Sequence, residues 1–357
     1  MIKKSVVITG ASGHIGFHVA LQLLELGHHV TLLIRTENQN IVQLKNLGAK
    51  VMVANLQKPE SYQHQFEGID VLFHIASENT TATKSEDKIV ENTFGLTRAV
   101  IDTALHKKVK TIIYTSSVVV LGRSKDPNVL IDETSTNYST QTSNSHNKLS
   151  TGNKQFDPGK NHKINDFESP YVKGKFLAEE YCDQLIREKQ VDIRRIYPSW
   201  VLGSNNLKVT PPQKIIKDYL QKGQWFYFNG GISVACVNSV AKAHINAWLK
   251  GKPNEKYITA GNNVSFKNFY NALAKRTGYI KPFIFVPKWI IYLAALTGKI
   301  FFKNRIAINP EYVQAVIGNY SWYSSQKAIK QLGYTIPKLD MILYDALTEI
   351  KENSKIT

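Results

Sequence analysis

Cysteine is nearly absent from this chain of 357 residues, which has two, Cys182 and Cys236. Two cysteines so far apart give no disulfide framework and no metal-ligand spacing, so a stapled secreted scaffold and a zinc module are both excluded. A reducing, cytoplasmic setting is expected, with both thiols acting as small buried hydrophobes. Long apolar runs are missing as well: nothing approaches the roughly 20 residues of a bilayer span. The apolar run after Lys4 is too short for a signal-peptide core and reads as a first strand. Acidic residues are scarce beside basic ones, 28 against 45, giving a formal charge of +17. The lysines are spread along the chain, without a basic cluster interleaved with aromatics or a nucleic-acid motif. Nucleic acid is therefore not an expected partner, and part of the charge can serve an anionic cofactor.

What is present is an alternation of β-rich and helical segments. Ser5 to Thr9, Val30 to Ile34, Lys50 to Ala54, Val71 to Ile75 and Thr111 to Thr115 read as strands buried on both faces. Helical patterns such as Ile15 to Leu26, Ile41 to Leu47 and Glu91 to His106 lie between them. This order predicts an α/β fold with a Rossmann-type doubly wound parallel sheet and a smaller C-terminal substrate-binding α/β region. Residues 1–200 are expected to form the dinucleotide-binding domain, with 232–260 returning to it. Residues 201–231 and 261–357 are expected to bind substrate. The Ser/Thr/Asn/Lys-rich stretch 134–168 reads as a flexible surface insertion. The apolar stretch 283–302 reads as a packed helix; its flanking Lys281, Lys303 and Arg305 also suit a peripheral membrane contact.

The chemistry begins at Thr9-Gly10-Ala11-Ser12-Gly13-His14-Ile15-Gly16. Glycines at every third position let the chain turn, approach a pyrophosphate and pack helix on sheet, while the helix N-terminus presents free N–H groups. The position at a first strand-helix turn makes the signal specific for a dinucleotide. Arg35 follows the second strand where an acid would read the ribose of NAD. Arginine suits a 2′-phosphate, so NADP(H) is favoured over NAD(H). Further along, Thr115-Ser116-Ser117 ends the fifth strand, and Tyr171 and Lys175 share one helical face. A lysine beside a tyrosine is expected to lower the phenol pKa and make it a usable acid and base. Ser117 is placed to hydrogen-bond a substrate oxygen. His74, inside an apolar strand, reads as a hydrogen-bonded core histidine.

Taken together, these segments resemble the extended short-chain dehydrogenase/reductase (NAD-dependent epimerase/dehydratase) family, and most of all its dihydroflavonol-reductase and hydroxysteroid-dehydrogenase-like branch. The resemblance implies that Tyr171 donates and accepts the proton, that Lys175 binds the nicotinamide ribose, and that Ser117 holds the carbonyl. It implies cofactor contacts at Gly10, Ser12, Gly13, His14, Ile15, Gly16 and Arg35. Further contacts fall at Asn55 and Leu56 near the adenine, at Ile75, Ala76 and Ser77, at Asn92, and at Pro198, Ser199 and Val201 along the nicotinamide. No catalytic role is expected for His14. Departures from the pattern are Asn55 in place of an aspartate, Asn238-Ser239 in place of two acids, and Val42 where a second basic residue usually stands, with Lys45 as a substitute.

The implied activity is hydride transfer between NADP(H) and the carbonyl or secondary alcohol of a small, fairly apolar substrate. Val118-Val119 after Ser117 departs from the Asp-Glu of nucleotide-sugar dehydratases. The stretch Phe228 to Val234 lacks the arginine usual in nucleotide-sugar epimerases. An epimerase with retained NAD and a non-catalytic NADP-binding regulator stand as alternatives. A homodimer is compatible with such a sheet, whose flanking helices often pair.

Overall fold

The computed structural model describes residues 2–77, 85–135, 169–207, 210–301 and 310–355. Nearly all of the insertion expected at 134–168 lies outside the described residues, as do Phe302, Lys303 and Arg305.

Twelve strands occur among the described residues. They are β1 (Ser5–Thr9), β2 (His29–Ile34), β3 (Lys50–Val53), β4 (Val71–His74), β5 (Thr111–Thr115), β6 (Asp192–Pro198), β7 (Trp200–Leu202), β8 (Phe226–Tyr227), β9 (Gly231–Cys236), β10 (Lys256–Thr259), β11 (Asn262–Ser265) and β12 (Ile284–Phe285). Seven of them form one sheet in the order β10-β6-β5-β4-β1-β2-β3. Every neighbouring pair in it is parallel. This is the doubly wound Rossmann-type arrangement, with the strand order reversing between β1 and β4, where such sheets open a crevice at their carboxyl ends.

Both faces of the sheet are covered, which is why its strands read as unbroken apolar runs. One face buries Val6, Ile8, Leu32, Val71 and Phe73 with Phe17, Val19 and Leu23 of α1 (His14–Glu25) and Val240, Ala241 and Ile245 of α7 (Val237–Leu249). The other buries Val7, Leu33, Leu72, Ile112 and Ile193 with Val100 and Ala104 of α4 (Leu96–His106) and Leu177, Cys182 and Leu185 of α5 (Pro170–Lys189). Each fully buried aliphatic or Phe side chain contributes about 1.5–3 kcal/mol relative to exposure. Both cysteines are free and buried.

The helix expected from Glu91 begins earlier and is interrupted. After α2 (Gln39–Asn46), α3 (Glu86–Val90) runs into a π-helical turn, Glu91–Gly95, before α4 starts. The hydroxyls of Thr93 and Thr97 donate back to the Ile89 and Thr93 carbonyls, competing with the regular backbone ladder at this turn. The wider turn meets α5 at Gly174, where an added Cβ would lie 2.7 Å from Thr93 Cβ. π-Bulges of this kind concentrate at functional sites.

The remaining strands lie apart from the large sheet. β7, β9 and β11 make a small mixed sheet in the order β11-β9-β7. It packs on α6 (Pro211–Lys222), α8 (Phe266–Thr277) and α12 (Leu339–Lys355) through Leu202, Ile216, Val234, Phe269, Leu343 and Leu347. β8 and β12 form a short parallel ribbon. Residues 283–287 are thus strand and turn, and the expected helix starts only at Lys288, as α9 (Lys288–Phe301). The reason is local: Pro287 lacks an N–H and disfavours helix in Val286, so it opens the helix rather than sitting within it. α10 (Pro310–Val316) and α11 (Gln326–Leu332) complete the chain's helices among the described residues. None of the described helices is long and apolar enough to cross a membrane.

Candidate active site

Register brings the site residues to one edge. Thr9 lies opposite Leu33 and His74, His74 opposite Tyr114, Thr115 opposite Ile196, and Pro198 opposite Thr259. The carboxyl ends of β1, β2, β4, β5 and β6 are therefore level, and the predicted segments emerge from them side by side.

The glycine loop is shaped by contact. Gly10 has φ +82, and a Cβ there would sit 2.5 Å from Ala76 N. A Cβ on Gly16 would sit 2.2 Å from Gly10 O, so only glycine lets α1 close on the loop. Gly13 is the N-cap of α1 and no side chain caps that end, so first-turn N–H groups are left for an anion. Asn38, the N-cap of α2, donates to the Ser12 carbonyl at 3.1 Å and fixes the stretch after Arg35 against the loop. Arg35 itself is exposed at the end of β2.

His14 turns away from the loop. Its Nε2 lies 2.9 Å from the Ser204 carbonyl, and His18 Nε2, one turn on, lies 3.0 Å from the same oxygen. Burial first, and then His18, lower the His14 pKa to about 3, so both nitrogens of this contact are N–H donors on neutral rings. The pair ties α1 to the segment after β7. Sequence reasoning placed His14 among cofactor contacts; its side chain is engaged with Ser204, which leaves only its backbone at the loop.

His74 is fully buried. Its Nδ1 is 2.8 Å from Thr9 Oγ1 and its Nε2 is 3.2 Å from Thr97 Oγ1. Thr97 Oγ1 already donates to the Thr93 carbonyl, so Nε2 carries the proton and Nδ1 accepts from Thr9. Thr9 Oγ1 also receives Ala76 N–H at 3.3 Å. The ring, its pKa lowered to about 3 by burial and then by Lys175, stacks on Tyr114 at 5.8 Å. The expected core histidine thus fastens β1, β4 and α4 behind the crevice.

Tyr171 and Lys175 occupy the first two turns of α5, which Ser169 caps by accepting Val172 N–H. Lys175 is buried; its Nζ donates to the Thr115 carbonyl at 2.8 Å and lies 4.9 Å from the Tyr114 ring centre. Burial lowers its pKa to about 8, and the Glu179 carboxylate opposes that fall. The expectation of a lowered phenol pKa is corrected. Burial pushes Tyr171 up to about 12, with Ser117 and then Ser77 hydroxyls holding the rise back. Ser117 is the N-cap of the turn Val118–Leu121, its Oγ accepting Val119 N–H at 3.4 Å, and the same hydroxyl meets the Tyr171 phenol. Lys175, its own pKa near 8, loses its charge before a phenol at about 12 ionises, so its ammonium does not offset that desolvation.

The other predicted residues surround this centre. Ile75, Ala76 and Ser77 follow β4, half-buried; Asn92 sits in the π-helical turn and accepts from Gln57 Nε2 at 3.1 Å. Asn55 is exposed after β3, where its side chain caps Gln57 N–H, and Leu56 is half-buried beside it. Pro198 ends β6, while Ser199 and Val201 run into β7. The Ser199 hydroxyl is buried with no hydrogen-bond partner among the described residues. A loop that only glycine can form, an uncapped helix N-terminus and an orphaned hydroxyl at the strand edge fit a nicotinamide dinucleotide.

Three residues escaped sequence reasoning. His244, buried in α7, places Nε2 2.9 Å from Thr115 Oγ1, with Nδ1 donating to Val240 O. It anchors the strand end that carries Ser117 and receives Lys175. Glu179, one further turn along the Tyr171–Lys175 face, is buried and bound by Arg195 at 3.2 Å and by the Tyr197 hydroxyl. Arg195 also pairs with Asp183 at 2.6 Å. The signal was the four-residue spacing Tyr171, Lys175, Glu179; only the fold shows that Arg195 and Tyr197 of β6 meet it.

Comparison with known proteins agrees with this geometry. Residues 10–153 match a family model described as NAD(P)H-binding. A Synechocystis sp. protein provisionally named dihydroflavonol 4-reductase is 25% identical over 346 residues, covering 95% of this chain and 92% of its own length. Cinnamoyl-CoA reductase 1 of Arabidopsis thaliana is 26% identical over 267 residues, 72% and 70% of the two chains. Among solved structures, gox2253 superposes with a TM-score of 0.78 at 26% identity over 98% and 99% of the chains. The Pseudomonas aeruginosa nucleoside-diphosphate-sugar epimerase PA4631 gives 0.73 at 19% identity over 99% of each, a likeness of fold alone.

Fold, loop and relatives define an NAD(P)-dependent oxidoreductase. Within that class, the chain is similar over most of its length to reductases named for dihydroflavonol and cinnamoyl-CoA, and its first part matches an NAD(P)H-binding family model.

Proposed function

We propose that this chain uses NADP(H) to reduce a ketone or aldehyde on a small, fairly apolar compound, with Tyr171 as the proton donor. The carrying observation is the half-buried Tyr171 phenol faced by the Ser117 hydroxyl, one helical turn from the buried Lys175 ammonium. With its pKa raised to about 12, the phenol keeps its proton at neutral pH and is set to donate rather than abstract one. Ser117 holds the carbonyl oxygen and Tyr171 delivers a proton to it as negative charge develops there. Lys175, still largely charged at pH 7, favours the phenolate that is left behind.

The loop Gly10, Ser12, Gly13, Ile15 and Gly16, with backbone at His14, would hold the pyrophosphate. Arg35 would take the 2′-phosphate, and Asn55, Leu56, Ile75 to Ser77, Asn92, Pro198, Ser199 and Val201 would line the rest. When bound, the cofactor supplies the hydride; the chain positions, protonates and excludes water. Residues 201–231 and 261–357 are assigned to substrate. Val118-Val119 after Ser117, and the lack of an arginine in Phe228 to Val234, favour an apolar carbonyl over a nucleotide-sugar. The test is a panel of aromatic, steroidal and aliphatic carbonyls with NADPH and NADH, following cofactor absorbance. Consumption of NADPH with at least one class supports the reading. Sugar-nucleotide interconversion without added cofactor would replace it by the epimerase.

A further inference from the structure

A run of exposed apolar side chains among the described residues lies far along the chain from the glycine loop. Ile280, Phe283 and Trp289 are 69%, 68% and 63% exposed, and Trp225, Ile284, Phe285, Leu293 and Leu296 are exposed with them. The segment is held, not frayed: Phe283 N–H donates to the Trp225 carbonyl at 2.9 Å, Val286 N–H to Tyr227 O at 2.8 Å, and β12 pairs with β8. α9 is apolar on two opposite sides. Ile291 and Ala295 pack inward on Val313 and Ile317. Trp289, Leu293 and Leu296, at helical spacing, form a second stripe that faces outward. A helix apolar all round is built to be covered on both sides.

Charge selects the cover. From Gly261 to Pro310 the sequence holds eight lysines and arginines and no aspartate or glutamate. Arg276 is paired with Asp340, and Asp218 of the neighbouring α6 is paired with Lys214. Lys281 and Lys288 are exposed within the aromatic segment, the latter with Nζ bent to the Gln314 carbonyl. A second copy docked on this face across a two-fold axis would bring like charge onto like charge. An anionic bilayer surface instead meets both features, taking Trp and Phe at the headgroup level and attracting the lysines. We infer that the β8–β12 ribbon and the outer stripe of α9 form a peripheral docking face for anionic membranes.

The experiment is sedimentation of the full chain with vesicles of phosphatidylcholine containing 30% phosphatidylglycerol, beside vesicles of phosphatidylcholine alone. Binding to the first should exceed binding to the second by about tenfold and weaken with salt. Phe283→Ser with Trp289→Ser should abolish it, and Lys281→Glu with Lys288→Glu should reduce it about tenfold. Both pairs should keep the wild-type thermal midpoint, since these side chains are exposed, so loss of binding is separable from misfolding. Equal binding to both vesicles, no binding to either, or retention by both variants overturns the inference. So does sedimentation-velocity evidence of a dimer that Trp289→Ser dissociates, which would assign the face to a second copy.

Discussion

The strand edge of the large sheet and the β8–β12 face of the small half treat their demanding groups in opposite ways. At the edge, His74, His244 and Lys175 are buried, and each is held by a named partner on another element. On the β8–β12 face, large aromatic side chains are left in the open on a braced backbone. Burial is costly for polar groups and exposure is costly for apolar ones. Where each cost is accepted marks where the protein meets something: a cofactor and substrate at the edge, a surface at the other end.

Changes at the edge should therefore be felt strongly and changes at the face weakly in solution assays. The largest effect is expected for Tyr171→Phe, which should lower the reductase kcat by about 10²–10⁴-fold, read in steady-state kinetics. Gly16→Val comes next. A side chain forced onto the Gly10 carbonyl should abolish measurable cofactor binding by calorimetry, and the thermal midpoint should fall. Arg35→Ala should weaken NADPH binding about 10- to 100-fold, the worth of a charge-assisted hydrogen bond, and leave NADH unchanged. An equal loss for both cofactors would place the 2′-phosphate elsewhere.

Smaller effects follow from protonation. Lys175 has a folded pKa of about 8, below its ordinary 10.5, so the reductase kcat/KM should decline as pH rises through 8 and the ammonium is neutralised. The same depressed pKa makes the charged lysine a burden on the fold at low pH, one relieved between 8 and 10.5. His14 and His74 have folded pKa values of about 3 against 6.5 unfolded, so the stability they confer is complete above 6.5 and lost as pH falls towards 3. Denaturant titrations should show a slope of up to about 1.4 kcal/mol per pH unit for each histidine in that window. A His74→Leu variant with an unchanged slope would contradict the assignment.

Much of the edge was legible because its requirements are local. Gly10 and Gly16 are written into one turn, Tyr171 and Lys175 into one helical face, and the strand ends into apolar runs. The phenol's acidity was misjudged because spacing reports that Lys175 is near, not that burial raises the phenol's pKa and lowers the lysine's together. His244 and Arg195 were invisible because their partners lie 129 and 16 residues away in sequence. The break before α9 was in principle readable at Pro287, but the apolar run through it masked the signal. The small sheet was the least legible part, its strands being short and their pairing non-local.

The most direct measurement combines calorimetry and turnover on Tyr171→Phe. NADPH should bind with wild-type affinity while carbonyl reduction is lost. Undiminished turnover would contradict the assignment of Tyr171 as the proton donor.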